Sequence, residues 1–314
     1  MLKEFIKRID KKKTIVLPEG EDERIIDAAK KINFCNLIII GKNININKKN
    51  VKVIDNENYD DIDKLTNSFY ELRKHKGITK EDAKKELLNN KILFGCMLVN
   101  NDIADGIVAG ICHTSSDTIR AALQTIGTKN GFASAFVLAD TKRKDLGYKG
   151  FILYSDTGLN QNPNSHELSI IGEQSKESFE EITGSKANIA FLSHSTHGSS
   201  KCDDSKKVID AYHEFRERNK NVSVDGELQF DAAIDENIRF KKAPNSSLKE
   251  NANTFIFPDL DAGNIAYKIT ERIGNCKCYG PVLQGMKKPV SDLSRGSSID
   301  DVIGTVLIVL LMTN

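Results

Sequence analysis

Between Thr14 and Ile40 the chain spells a strand, a helix and a second strand. Thr14-Ile-Val-Leu17 is a short apolar run stopped by Pro18-Glu19-Gly20. From Asp22 to Ile32 the apolar positions Ile25, Ile26, Ala28, Ala29 and Ile32 recur at helical spacing. Leu37 to Ile40 is a second β-branched run, closed by Gly41. Two parallel strands need a crossover, and a helix of this length supplies it. The pattern is a βαβ unit, and it commits the chain to α/β architecture with a parallel sheet.

The alternation continues. A charged opening, with Leu2, Phe5, Ile6 and Ile9 at helical spacing within residues 1–13, reads as a short amphipathic helix without a signal core. Val51 to Ile54 reads as a strand, Ile62 to Lys76 as a helix closed by Gly77, and Glu81 to Leu88 as another helix. Ile103 to Ile111 is rich in Gly, Ala and Val, and Gly106 and Gly110 suggest close backbone approach. It leads through the N-cap cluster Thr114-Ser115-Ser116-Asp117 into a helix expected over Thr118 to Thr125. Further strands are expected near Phe151 to Tyr154, Ala187 to Leu192, Val222 to Val224 and Thr254 to Phe257. The clearest helices between them are Leu168 to Phe179 and Lys206 to Arg218. No internal repeat or low-complexity linker interrupts the series.

Charge excludes some functions. Lys plus Arg is 45 and Asp plus Glu is 44, a net charge of +1. A nucleic-acid binder or polybasic membrane protein would carry a positive excess. The apolar run Val302 to Met312 is far short of the ~20 residues that span a bilayer and reads as a buried helix. Six irregularly spaced cysteines suit free thiols in a reducing cytoplasm, and no metal-ligand spacing stands out.

Six stretches, in order, carry a resemblance. They are Leu17-Pro-Glu-Gly-Glu-Asp-Glu-Arg24; Ala104-Asp-Gly-Ile-Val-Ala-Gly110 with His113-Thr-Ser-Ser-Asp-Thr-Ile-Arg120; Ser193-His-Ser-Thr-His-Gly-Ser199; Asp225-Gly-Glu-Leu-Gln229; Asn253 to Asn264; and Gly280-Pro-Val-Leu-Gln-Gly285 running into Lys288 to Gly296. Together they resemble the phosphate acetyltransferase (phosphotransacetylase) family, which includes phosphate butyryltransferase. The resemblance implies reversible conversion of acetyl-CoA and inorganic phosphate to acetyl phosphate and CoA. It implies two α/β domains with an interdomain cleft, similar to the isocitrate and isopropylmalate dehydrogenases, the second domain inserted into the first. The expected boundaries are 1–131 plus 282–314 for domain I and 132–281 for domain II. Relatives are commonly homodimers, so a homodimer in the cytoplasm is expected. Coenzyme A, acetyl phosphate and phosphate are the expected small-molecule partners, with no permanently bound cofactor and no nucleic acid or membrane partner.

The chemistry asks for particular groups. A thiol of pKa ~8.5 is only a few per cent thiolate at pH 7, so a base helps it attack an acyl phosphate. The tetrahedral oxyanion needs a donor, and the phosphate needs a guanidinium fork. Ser294, Arg295 and Asp301 supply a hydroxyl, a guanidinium and a carboxylate within eight residues. By resemblance, Ser294 stabilises the transition state, Arg295 binds phosphate and Asp301 takes the thiol proton. Ser298-x-x-Asp301 also fits a helix capping box, a role that needs no catalysis.

By the same resemblance, Arg120, Arg73, Ser115, Ser195 and Thr196 join Arg295 in substrate binding. Arg120 lies just inside a Ser/Thr-rich helix start, a favourable place for anions. Arg73 stands in the last turn of its helix, where a cation also offsets the dipole. Many relatives have Lys where this chain has His197, which puts a charge contribution there in doubt. Acyl-chain preference, acetyl or butyryl, stays open, and a non-catalytic CoA-binding module is the alternative from another class. No G-x-S-x-G surrounds Ser294 and no G-x-G-x-x-G follows the first strand, so neither a hydrolase triad nor dinucleotide binding is supported.

Overall fold

A computed structural model describes residues 2–313. The chain divides into two compact units. One runs up to Phe132 and resumes at Gly285; the other is the uninterrupted stretch Ala133–Gln284.

The first unit begins with α1 (Leu2–Ile6), β1 (Thr14–Leu17), α2 (Glu23–Lys31), β2 (Asn36–Ile40) and β3 (Val51–Ile54). It continues with α3 (Ile62–Arg73), α4 (Lys80–Asn89), α5 (Lys91–Asn100), β4 (Gly106–Ala109) and α6 (Ser115–Thr125). The second unit holds β5 (Ser134–Asp140), β6 (Phe151–Ser155), α7 (Ser165–Thr183), β7 (Asn188–Leu192), α8 (Asp203–Arg218) and β8 (Ser223–Leu228). It closes with α9 (Phe230–Ile234), α10 (Glu236–Lys242), β9 (Thr254–Ile256), α11 (Leu260–Arg272) and β10 (Lys277–Gln284). The chain then returns to the first unit with β11 (Val290–Asp292) and α12 (Ile299–Leu311).

In the first unit the strand order is β3-β2-β1-β4-β11, and every pairing is parallel. Val16 pairs with Ile38 on one side and Ile107 on the other. From β1 the chain builds outward to β2 and β3, then returns to place β4 on the opposite side. That reversal makes the carboxyl ends of β1 and β4 a topological switch point, where open α/β sheets bind ligands.

Local chemistry explains the elements around it. Asp22 caps α2 by accepting from the Arg24 N–H at 2.9 Å. Helix α12 packs against α2 and β4 and buries Val302, Val306, Leu307 and Leu310. Gly106 lets it come close, since a β-carbon there would stand 2.8 Å from Val309 Cγ1 and 3.1 Å from the Pro289 carbonyl oxygen. At Gly110 φ is +100°, and a β-carbon would meet Asp292 Oδ1 at 2.3 Å. Both glycines therefore serve close approach, as expected.

In the second unit the strand order is β10-β5-β6-β9-β7-β8. Strand β5 runs antiparallel to both neighbours, while the β6-β9, β9-β7 and β7-β8 pairs are parallel. Tyr154 anchors this core, edge-on to Phe255 and Phe257 with ring centroids 5.7 and 5.3 Å away.

Several sequence expectations need correction. The sheet of the second unit is mixed, not purely parallel, because β5 runs antiparallel to both β10 and β6, and the sequence pattern revealed neither β5 nor β10. Helix α1 ends at Ile6, short of Ile9. Helix α6 starts at Ser115 rather than Thr118, because Thr114 is the capping residue. The helix ending at Gly77 is α-helical only to Arg73, and its last turn tightens to a 3₁₀ turn over Lys74–Lys76. Helix α5 went unread because Ile92 through Val99 are all buried, which leaves no polar stripe to show the period.

Candidate active site

In the first unit the carboxyl ends of β1, β4 and β11 lead into three loops that converge on one network. Glu19 follows β1 and is 3% exposed. Its Oε2 accepts from the Ile111 N–H at 2.9 Å and its Oε1 from the Cys112 N–H at 2.8 Å. His113 Nδ1 lies 2.6 Å from the same Oε1. A buried carboxylate needs such partners, and here they tie the β1 loop to the β4 loop across the switch point.

Arg24 carries the network on to the third loop. Its Nε and Nη2 donate to the two carboxylate oxygens of Asp22 at 2.9 and 2.7 Å, a bidentate fork. Its Nη1 donates to the carbonyls of Arg295 at 2.8 Å and Ser297 at 2.9 Å, and Nη2 reaches the Ile111 carbonyl at 3.3 Å. The fork holds the Asp22 carboxyl down at about 2, chiefly through the Arg24 hydrogen bond. The Cys112 thiol donates to Asp22 Oδ2 at 3.3 Å, and desolvation together with Asp22 pushes that thiol up to about 11.

The loop between β11 and α12 and the first turn of α12 hold the three residues expected to do chemistry. Ser294 and Arg295 are exposed. Their loop closes on itself where the Ser297 N–H donates to the Ser294 carbonyl at 2.9 Å and the Gly296 N–H to Ser294 Oγ at 3.2 Å. Asp301 stands in the first turn of α12, and its Oδ2 accepts from the N–H of Ser298 at 2.8 Å and its hydroxyl at 2.7 Å. Just before the loop, Asp292 is 4% exposed, and burial pushes its carboxyl above the ordinary range. The hydroxyls of Ser115 and Thr118, nearby on α6, oppose that rise. Ser115 is thus the first residue of α6 and belongs to the surroundings of Asp292.

Arg120 and Arg73 stand apart from this network. Arg120 is exposed on α6, with its Nη1 3.8 Å from Asp117. It borders a groove of about 630 Å³ that Lys85, Asn89, Asp117 and Gln124 also line. Arg73 is the last residue of α3, a helix that packs against α6. Among the described residues its side chain makes no hydrogen bond or ion pair.

Ser195 and Thr196 lie in the second unit, on the loop after β7. Ser195 is fully buried, and its Oγ donates to Glu227 Oε1 at 2.7 Å and accepts from the Ser200 N–H at 3.0 Å. Thr196 Oγ1 accepts from the Gln229 N–H at 2.9 Å. Glu227 also accepts from the Gly198 N–H at 2.7 Å. His197 has φ +45° and points Nε2 to within 3.2 Å of Asp225. These side chains hold the loop against β8.

Sequence reasoning gave no role to Glu19, Asp22 or Arg24, although all three lie in the Leu17 to Arg24 stretch. The available signal was an Asp-x-Arg pair at a helix start directly after the first strand. Among the described residues, no group of three His, Cys, Asp or Glu side chains is placed to hold a metal ion.

What the site presents is an exposed serine and arginine ahead of a capped helix start that carries a carboxylate. Such a set can bind a dianion, donate to an oxyanion and accept a proton. Comparison with known proteins points the same way. The profile of the family described as phosphate acetyl/butaryl transferase matches residues 1–310. A phosphate acetyltransferase of Acetivibrio thermocellus is 41% identical over 308 residues, covering 94% of this chain and 92% of its own. The crystal structure of a phosphotransacetylase from Streptococcus pyogenes superposes with a TM-score of 0.89 at 38% identity, covering 99% of this chain and 96% of that one. A 4-hydroxythreonine-4-phosphate dehydrogenase from Klebsiella pneumoniae, at 11% identity and a TM-score of 0.57, shares the fold alone, covering 97% of this chain and 100% of its own.

Proposed function

The chain belongs to the phosphate acetyl- and butyryltransferase family, and from that membership we propose how its residues divide the work of acyl transfer. Its activity is that of a phosphate acetyltransferase, which moves an acetyl group reversibly between coenzyme A and inorganic phosphate. The observation that carries the division of labour is the exposed Ser294–Arg295 pair ahead of the α12 start that bears Asp301.

In the direction of thioester synthesis, Asp301 accepts the proton of the CoA thiol. Both of its cap hydrogen bonds end on Oδ2, which leaves Oδ1 to receive that proton. The thiolate sulfur then attacks the carbonyl carbon of acetyl phosphate, and the carbonyl oxygen becomes an oxyanion. The Ser294 hydroxyl donates to it. The intermediate collapses, the C–O bond to phosphate breaks, and phosphate leaves as an anion held by the Arg295 guanidinium. Arg120, with Lys85 beside it in the groove, supplies positive charge for the phosphates of CoA, and Arg73 and Ser115 are assigned to the same substrate. Ser195 and Thr196 are assigned to shaping the second unit's loop for substrate.

The proposed assembly is a cytoplasmic homodimer. Its support is the apolar stripe along α11 and its C-cap, where Ile265, Ile269 and Ile273 are exposed, and cysteines that form no disulfide among the described residues. No helix of the described residues is long and apolar enough to cross a membrane.

The test follows thioester formation in the ultraviolet from CoA with acetyl phosphate and, separately, butyryl phosphate. Acetyl phosphate is the expected better substrate. Arg295→Ala should fold normally and lose about 30- to 1,000-fold in kcat/KM, the equivalent of ~2–4 kcal/mol, with Lys rescuing only in part. Near-parental turnover in a folded Arg295→Ala protein would reject its assignment.

A further inference from the structure

Arg24 uses all of its hydrogen-bonding capacity. A guanidinium has five N–H bonds in a planar fork. Here Nε gives one to Asp22, Nη2 gives one to Asp22 and one to the Ile111 carbonyl, and Nη1 gives one each to the carbonyls of Arg295 and Ser297. The side chain thereby joins the start of α2, the loop after β4 and the loop after β11.

The last of these loops needs outside support. Ser294, Arg295 and Gly296 are exposed, and a loop with a glycine at its centre has large conformational freedom to lose. Within the loop the backbone is held by the Ser297-to-Ser294 turn bond, while Arg24 grips the carbonyls on either side of Gly296. Asp22 holds the opposite edge of the guanidinium, so the fork cannot swing away, and its carboxylate offsets the guanidinium charge.

We propose that Arg24 is a positioning residue for acyl transfer: through the carbonyls of Arg295 and Ser297 it sets the backbone from which the Ser294 hydroxyl and the Arg295 guanidinium project. This rests on the reading that Ser294 and Arg295 act on the acyl phosphate. Arg24 touches no reacting atom in this account. Its effect is to spare the transition state the cost of ordering the loop, which falls on kcat and on the affinity for acetyl phosphate rather than on CoA binding. A lysine cannot replace it, since three donors on a flexible stem cannot serve one carboxylate and three carbonyls in a plane.

The experiment is thioester formation by Arg24→Ala and Arg24→Lys, with acetyl phosphate and CoA each varied, alongside thermal unfolding. The expected result is a loss of about 10-fold or more in kcat for Arg24→Ala with the KM for CoA within about 2-fold of the parent, and an intermediate value for Arg24→Lys. Millimolar guanidinium ion should recover part of the Arg24→Ala loss. In an Arg295→Ala background, Arg24→Ala should cost less than about 3-fold more, because both changes disable one element. If Arg24→Ala does not fold, Arg24→Lys, which keeps a cation beside Asp22, gives the kinetic answer. Parental kcat and KM in the folded variants, or full additivity with Arg295→Ala, would overturn the proposal. A parent protein that forms no thioester would overturn the functional reading beneath it, whereas an active parent with indifferent Arg24 variants overturns the positioning role alone.

Discussion

Ser298 and Asp301 cap one another at the start of α12: Ser298 Oγ accepts from the Asp301 N–H at 3.3 Å while Asp301 Oδ2 accepts from the Ser298 N–H at 2.8 Å. The reciprocal pair satisfies two of the donors that a helix start leaves unpaired. It orients the carboxylate, so capping and proton transfer are compatible roles of one side chain, and separating them needs two variants.

Ser298→Ala removes the cap and keeps the carboxylate, whereas Asp301→Asn keeps a side chain of the same size but cannot take a thiol proton. Ser298→Ala should lower stability by about 0.5–2 kcal/mol with turnover within a few-fold of the parent. Asp301→Asn should unfold nearly like the parent and lose about 100-fold or more in kcat. Raising the pH toward the thiol pKa should return part of that loss, because more CoA is then already thiolate. Denaturant titration and steady-state kinetics on both proteins decide it. If Asp301→Asn is destabilised yet turns over normally once folded, the carboxylate is a cap and nothing more.

The cysteines should differ sharply toward an alkylating agent. Cys202 is the N-cap residue of α8, and hydrogen bonding with the Ser205 side chain and backbone brings its exposed thiol below the usual range. Cys112 is also exposed, but desolvation and Asp22 raise its thiol to about 11, and burial takes Cys35 and Cys96 to about 12. Only the thiolate reacts. Limiting iodoacetamide at pH 7.5, read by peptide mass spectrometry, should therefore label Cys202 first and Cys112 slowly despite its exposure. Faster labelling of Cys112 would contradict its contact with Asp22.

Gly263 marks the closest approach in the second unit. A β-carbon there would lie 2.0 Å from the Asp156 carbonyl oxygen, and backbone cannot rotate aside as a side chain can. Gly263→Ala must push α11 away from the end of β6 and should cost about 2–3 kcal/mol or more. At Gly172 the nearest obstacle is the Phe191 ring tip at 2.6 Å, so Gly172→Ala should be tolerated better. Thermal unfolding of the two variants ranks them; equal midpoints would refute the argument.

What the sequence determined by itself was local. The run Thr14–Leu17, the helix after it, the end at Gly77 and the Ser298-x-x-Asp301 box were all legible, because a cap or a periodic face is decided by residues within four positions of each other. The resemblance supplied Ser294, Arg295 and Asp301, and two of these sit exposed on one loop with the third at the helix start behind it. Tertiary structure decided the rest. Helix α5 has no polar face, so its period appears only when neighbours surround it. The antiparallel pairing of β5 with β10 joins segments such as Ser134 and Gln284, whose meeting no local pattern records. Ser195 reads in the sequence as an available hydroxyl, but in the fold it is buried and donates its hydrogen bond to Glu227. Arg24 had no reason to stand out beyond its salt bridge, because the carbonyl it grips lies 271 residues along the chain. Backbone carbonyls carry no side-chain identity, so a residue that acts by holding them becomes visible only when the fold brings the two segments together.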